Sequence, residues 1–112
     1  MIIIREAISR AQLKVLAEEH FGDMVKAVVD CERRVMAVGA ELHADAEQLL
    51  LEDGSDQEDL WGVNLYPGKE GSDWIEFDSM INIRPQQNNR SRRVEDAAIC
   101  SIIIEIVSDL VQ

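Results

Sequence analysis

Val35-Met-Ala-Val-Gly-Ala-Glu-Leu-His-Ala-Asp-Ala-Glu47 is the stretch on which the reading of this chain turns, because its two parities separate by chemistry. Even positions carry Met36, Val38, Ala40, Leu42, Ala44 and Ala46, whereas odd positions from 41 onward carry Glu41, His43, Asp45 and Glu47. Successive side chains of a strand point to opposite faces, so an extended chain lines the four polar groups along one side, ~6.5–7 Å apart. The stretch is long for one strand, and Gly39 is the natural place for a bend. A helix from about Leu42 to Glu52 is the competing reading, since Leu42, Ala46, Leu49 and Leu50 form a stripe and His43 meets Glu47 one turn later. The strand is preferred: the neighbouring segments are strand-like, and no Ser, Thr, Asp or Asn precedes Leu42 as a cap.

Upstream of this stretch, Ile2 to Ile4 suits a first strand and Ser9 suits a helix N-cap. Gln12 completes a capping box with Ser9, and Ile8 and Leu13 stand at staple positions. Leu13, Leu16, Ala17 and Phe21 recur at helical spacing before Gly22 stops the helix. Met24 to Asp30 and Arg34 to about Leu42 then read as a hairpin around Cys31-Glu32-Arg33. Downstream, Leu49 to Glu52 and Leu60 to Tyr66 read as a second hairpin across Asp53-Gly54-Ser55. Trp74 to Arg84 reads as a strand, with Ile75, Phe77, Ile81 and Ile83 alternating with polar residues and only Ser79 interrupting the apolar row.

Pro85 ends that strand, and a polar loop runs from Gln86 to Arg93. The last helix carries Ile99, Ile102, Ile103, Ile106, Val107 and Leu110 on one stripe, with Glu95 and Asp96 near its positive end. Cys100, Ile104 and Val111 widen that stripe beyond what one sheet face needs, so the helix is either sandwiched within the monomer or also buries surface against a second copy, and a homodimer is expected. Together these segments predict one α+β domain over residues 1–112. Its antiparallel sheet has about four to six strands, with the N-terminal and C-terminal helices packed on the apolar face.

Eleven Lys and Arg against 22 Asp and Glu leave a net charge of −11, a field that repels phosphate backbones. Double-stranded nucleic acid is not an expected partner. At 46% hydrophobic residues the chain is too apolar for a disordered acidic tail. The opening Met1-Ile2-Ile3-Ile4-Arg5 has neither the apolar run nor the cleavage site of a secretory signal, and a cytoplasmic location without membrane contact is expected. Cys31 and Cys100 show no CxxC spacing and read as free thiols behaving as small hydrophobes.

The polar parity is where chemistry is expected. Glu41, His43 and Asp45 offer imidazole and carboxylate donors that suit zinc, manganese or iron. The same face of the Trp74 strand presents Glu76, Asp78, Asn82 and Arg84, and the Leu60 strand adds Asn64 and Tyr66. Arg84, Arg90, Arg92 and Arg93 form a basic cluster just before a helix, fit to hold a carboxylate or phosphate or else to pair internally with Glu41, Asp45, Glu76 or Asp78. The expected ligand-binding set is therefore His43, Asn64, Asp78, Asn82, Arg84, Arg90 and Arg92. It makes the chain a binding or interaction module for a small anionic ligand or a protein partner. The alternative is a small, metal-assisted hydrolase built on Glu41, His43 and Asp45. No P-loop, Rossmann glycine set, GxSxG or HExxH occurs and no cofactor is expected; the acidic loop Glu52 to Asp59 lacks the ligand order of an EF-hand.

Four segments carry a resemblance: Gly39-Ala-Glu-Leu-His-Ala-Asp45, Leu60-Trp-Gly-Val-Asn-Leu-Tyr-Pro67, Phe77-Asp-Ser79, and Ile83-Arg-Pro85 followed by Asn89-Arg-Ser-Arg92. On these the chain resembles a family of short bacterial proteins known only as a domain of unknown function, over nearly its whole length. The resemblance brings no reaction with it. It implies only that Glu41, His43, Asp45, Asn64, Asp78, Arg84, Arg90 and Arg92 lie in family-like segments; Ala40 departs from the glycine expected there.

Overall fold

Every strand in this protein pairs antiparallel with its neighbours, and the five form one sheet in the order β1-β3-β2-β4-β5. The computed structural model describes residues 1–112. In chain order the elements are β1 (Ile2–Ile4), α1 (Arg10–Glu19), β2 (Val25–Asp30), β3 (Val35–Ala40), α2 (His43–Glu52), β4 (Leu60–Leu65), β5 (Ile75–Glu76) and α3 (Ala97–Leu110). This is the α+β fold read from the sequence, with one helix more than expected.

Local chemistry explains most of the joints. The capping box at Ser9 is formed, with Ser9 Oγ accepting from the Gln12 amide at 3.0 Å and Gln12 Oε1 accepting from the Ser9 amide at 2.8 Å. Between β2 and β3, the Asp30 carboxylate accepts from the amides of Glu32 and Arg33, both at 2.9 Å, which closes the turn from inside. At the far end of β3, Val38 stands opposite Ala27 and Ala40 opposite Lys26, so Gly39 is left without a partner. Its φ of +90° makes it the bulged residue, and the expected bend at Gly39 is there.

Side-chain parity sorts the sheet into two faces. Val25, Ala27, Val29, Met36, Val38, Trp61, Val63 and Leu65 face α1 and α3 in a 19-residue core with Leu13, Ala17, Ile103, Ile106, Val107 and Leu110. The opposite face contributes Val28, Val35, Ala37, Ala40 and Leu60 to a second core of 7 residues, completed by Ala46 and Leu50 of α2. The sheet is thus covered on both sides, not on one.

Three expectations are corrected here. The strand through His43 ends at Ala40, and His43–Glu52 is helical even though Leu42 supplies no side-chain cap. Burial decides it: His43, Ala46 and Leu50 are the buried residues of the segment, and the i, i+3, i+7 spacing puts them on one face of a helix, whereas alternation would turn His43 away from the other two. Leu49 to Glu52 is accordingly the end of α2, and Asp53-Gly54 leaves a helix where a hairpin turn was expected. The strand expected over Trp74 to Arg84 stops at Glu76; Ser79 Oγ caps a 3₁₀ turn at Met80–Asn82, and Pro85 opens another at Pro85–Gln87. Ser79, the residue that broke the alternation, caps the turn that replaces the expected continuation of the strand.

On α3, Ile103, Ile106, Val107 and Leu110 are buried, Ile99 and Cys100 are half-buried, and Ile102 and Ile104 stay 39% and 46% exposed. The monomer itself therefore accounts for most of the wide stripe. No helix is long and apolar enough to cross a membrane.

Candidate functional site

The second face is covered in two pieces, α2 on one side and the Asp78–Asn82 segment on the other, and a cleft opens in the seam between them. Gly62 explains how closely the second piece lies on the sheet: a Cβ there would stand 2.6 Å from Cβ of Ser79. Asn82, fully buried, fastens it further, accepting from the Gly62 amide at 2.8 Å and donating to the Gly62 and Arg92 carbonyls, each at 3.0 Å. Its side-chain amide replaces a neighbouring strand for one residue of β4.

The cleft holds about 210 Å³, and its border includes Lys26, Leu42, His43, Asn64, Asp78, Met80 and Arg92. Lys26 and Asn64 are directly opposed in the β2–β4 register, and Asn64 is opposed to Glu76 across β4–β5, so a polar row crosses the sheet. The Asn64 amide nitrogen donates to Glu76 Oε1 at 2.8 Å and to the Asp78 carbonyl at 3.2 Å. Both partners are acceptors, which fixes the orientation of the amide. Asn64 Oδ1 is then left buried with no hydrogen-bond partner. Such an atom costs about 1–3 kcal/mol if nothing meets it.

His43 opens α2 and turns its ring toward the sheet, with Nε2 2.9 Å from the Val63 carbonyl. A carbonyl only accepts, so Nε2 carries the proton and Nδ1 presents a lone pair with no protein donor. Burial pushes the imidazole below its ordinary value and Lys26 adds to this, against the Val63 hydrogen bond, Asp78 and the nearby Asn64 side chain, which favour the charged ring. Above the sheet floor, Arg92 holds Asp78 through two bonds, Nε to Oδ1 at 2.7 Å and Nη2 to Oδ2 at 3.2 Å. Leu42 and Met80 flank the opening as large apolar side chains left 59% and 65% exposed.

The larger concavity, about 770 Å³, is a groove beside β5 lined by Tyr66, Lys69, Asp73, Glu76 and Arg93 among others. Asp78 and Arg92 border both spaces, so their ion pair is a wall between them. The groove is wider, but of the three buried side-chain atoms without a hydrogen-bond partner, Glu47 Oε2, Asn64 Oδ1 and Arg84 Nε, only that of Asn64 belongs to a residue bordering either space, and that space is the smaller cleft.

A family model described as "Protein of unknown function (DUF5674)" matches residues 2–110. The chain belongs to the DUF5674 family. Neither the curated proteins nor the solved structures contain a match. In this DUF5674 chain, four of the residues expected to bind ligand meet at the cleft: His43, Asn64, Asp78 and Arg92.

Three others do not. Asn82 is consumed by Gly62 and Arg92, as described. Arg84 is buried, donates to the carbonyls of Gln57 and Leu60 and to Gln87 Oε1, and lies 4.1 Å above the Trp61 ring, so it pins the loop that follows. Arg90 is exposed and borders neither space; its amide and that of Ser91 both donate to Glu95 Oε2 at 2.8 Å.

Nor do Glu41, His43 and Asp45 meet. Glu41 and Asp45 border a separate concavity with Met1, Gln48 and Glu52 on the outer side of α2, because a helix turns neighbours two apart to different sides. No group of three or more His, Cys, Asp or Glu side chains is placed to hold a metal ion. Cys31 and Cys100 are free, and burial together with Asp30 and Asp59 pushes the Cys31 thiol up to about 12, so it stays protonated. Lys26, Leu42 and Met80 escaped the sequence reading. The signal for Lys26 was its even parity within β2, which it shares with Val28 on the α2 side.

Proposed function

We propose that this protein is a binding module whose cleft between α2 and the Asp78–Asn82 segment takes a small anionic ligand. The observation that carries the proposal is Lys26, an ammonium without an ion-pair partner at the border of an open cleft, set in register beside Asn64, a side chain 6% exposed and locked in orientation. With Arg92 paired to Asp78 at the same border, Lys26 leaves that border net positive in a chain whose net charge is −11, and the first turn of α2 has no side-chain cap competing for its N–H groups. Leu42 and Met80 give the opening apolar sides, the usual composition of a ligand site: apolar walls around a few placed polar groups.

At about 210 Å³ the cleft lies below the ~300–1,000 Å³ of drug-sized pockets, which limits the occupant to a small metabolite. A thermal-shift screen of inorganic phosphate, carboxylates and nucleotides, followed by calorimetry, tests the proposal. A small anion should raise the melting temperature, and Lys26→Glu should abolish the rise without changing the circular dichroism. Equal binding by wild type and the Lys26→Glu variant, or no response to any anion, would overturn it.

A further inference from the structure

The sheet ends at β5, and the peptide planes there show which backbone groups its outer edge presents. The Tyr66 amide donates to the Trp74 carbonyl at 2.8 Å, so that carbonyl points at β4. The Ile75 N–H, on the other side of the same trans peptide plane, points away. Leu65 faces Ile75 and Asn64 faces Glu76, so antiparallel alternation makes Asn64 and Glu76 the next hydrogen-bonded pair. With the Glu76 N–H and C=O turned to β4, the Ile75 C=O and the Phe77 N–H are turned outward. Neither strand pairing nor any loop supplies a partner for these three groups. Ile75 and Phe77 line the groove of about 770 Å³. At Ser79, by contrast, the N–H donates to the Arg92 carbonyl at 3.1 Å, so the polar loop covers the chain there and leaves it open over Phe77 and Ile75.

We infer that this groove takes an extended peptide segment of a partner protein, which adds to β5 as a sixth strand and sets a carboxylate against Arg93. The Ile75 and Phe77 donors stand ~6.5–7 Å apart, the repeat at which an extended chain presents carbonyls along one side. The Ile75 carbonyl between them takes that chain's own N–H, the pattern of strand addition. Charge sets the peptide's end. Arg92 is paired with Asp78, and Glu76 accepts from Asn64 and Tyr66. Lys69 and Asp73 offset each other on the loop before β5, which leaves Arg93, free of any ion pair, at the end near Ser79. A second copy of this chain fits poorly. Pairing two β5 strands through Ile75 and Phe77 sets Glu76 against Glu76, between molecules that each carry −11.

Affinity selection from two synthetic random hexapeptide libraries tests this, one with a free C-terminal carboxylate and one amidated. Selected peptides should carry a carboxylate, shift the Ile75 and Phe77 amide resonances and protect those amides from hydrogen exchange. Binders from the free-acid library alone assign Arg93 to a chain terminus, whereas acidic side chains selected from both assign it to Asp or Glu. N-methylation along a selected peptide should cost about tenfold in affinity at the position facing the Ile75 carbonyl and little at its neighbours, whose N–H groups point away. Arg93→Glu should weaken binding about fivefold or more without changing the circular dichroism. Peptides that leave both amides unmoved, or that tolerate methylation at every position, would overturn strand addition, as would the absence of binders in both libraries. Binders lacking a carboxylate, or indifferent to Arg93→Glu, would overturn the charge assignment. The small-anion cleft is tested separately and stands or falls without this groove.

Discussion

The two faces of the sheet are built from the same strands, yet they differ in what covers them. The α1/α3 face is sealed by two helices over a 19-residue core, whereas the α2 face has a 7-residue core beside a seam floored by Lys26 and Asn64. Alternation makes both possible: one parity is apolar along every central strand, and the other is apolar only where α2 reaches it. A face that is closed everywhere serves stability, while a face closed in two pieces leaves an ordered polar row at the border of a cleft.

The comparison breaks most sharply in the larger core. Ile103→Ala, at 0% exposure beneath α3, should cost about 2–5 kcal/mol in denaturant unfolding, the range for truncating a large buried aliphatic side chain. Gly62→Ala attacks the seam instead. With Ser79 Cβ only 2.6 Å from the new methyl, the Asp78–Asn82 segment has to lift, at about 1–3 kcal/mol. Ser79→Gly in the same chain should recover part of that loss; no recovery would mean that the clash is not the cause.

A pH titration sharpens the contrast through His43. Its value in the folded protein lies below the ordinary 6.5, so between the two values the unfolded chain binds more protons. Stability should be full above about 6.5 and fall as pH drops through that window, levelling off at the folded value. His43→Gln, which can still donate to the Val63 carbonyl, should flatten the profile above the carboxylate range, and an unchanged slope would assign it elsewhere. The smallest effect is expected at the wall between cleft and groove. Asp78 and Arg92 are 41% and 56% exposed, and a double-mutant cycle should give a coupling of at most about 1 kcal/mol that shrinks with salt.

The sequence was most legible where a local signal and the long-range environment agree. Ser9 with Gln12, the turn after Asp30, the bend at Gly39 and, apart from Ile102, the stripe on α3 took the expected form. It was least legible at His43 and after Glu76. Polar and apolar residues alternating over Glu41 to Glu47 satisfy a strand and a helix almost equally, because alanines fit either. What removes the ambiguity is the hole over Val28, Ala37 and Leu60 that Ala46 and Leu50 fill. Likewise Ile81 and Ile83 kept the period of a strand, while Ser79 and Pro85 had the chemistry to end one.

From the linear chain alone came one α+β domain, an antiparallel sheet with the N-terminal and C-terminal helices on its apolar face, and a candidate site containing His43, Asn64, Asp78 and Arg92. Those follow from periodicity and residue chemistry, which act over a few positions. Only the folded packing decided that a third helix covers the far face, that Arg84 and Asn82 are spent on backbone groups, and that one oxygen of Asn64 has nothing to meet. Whether a polar atom is satisfied depends on partners distant in sequence, and no local pattern specifies where those partners stand.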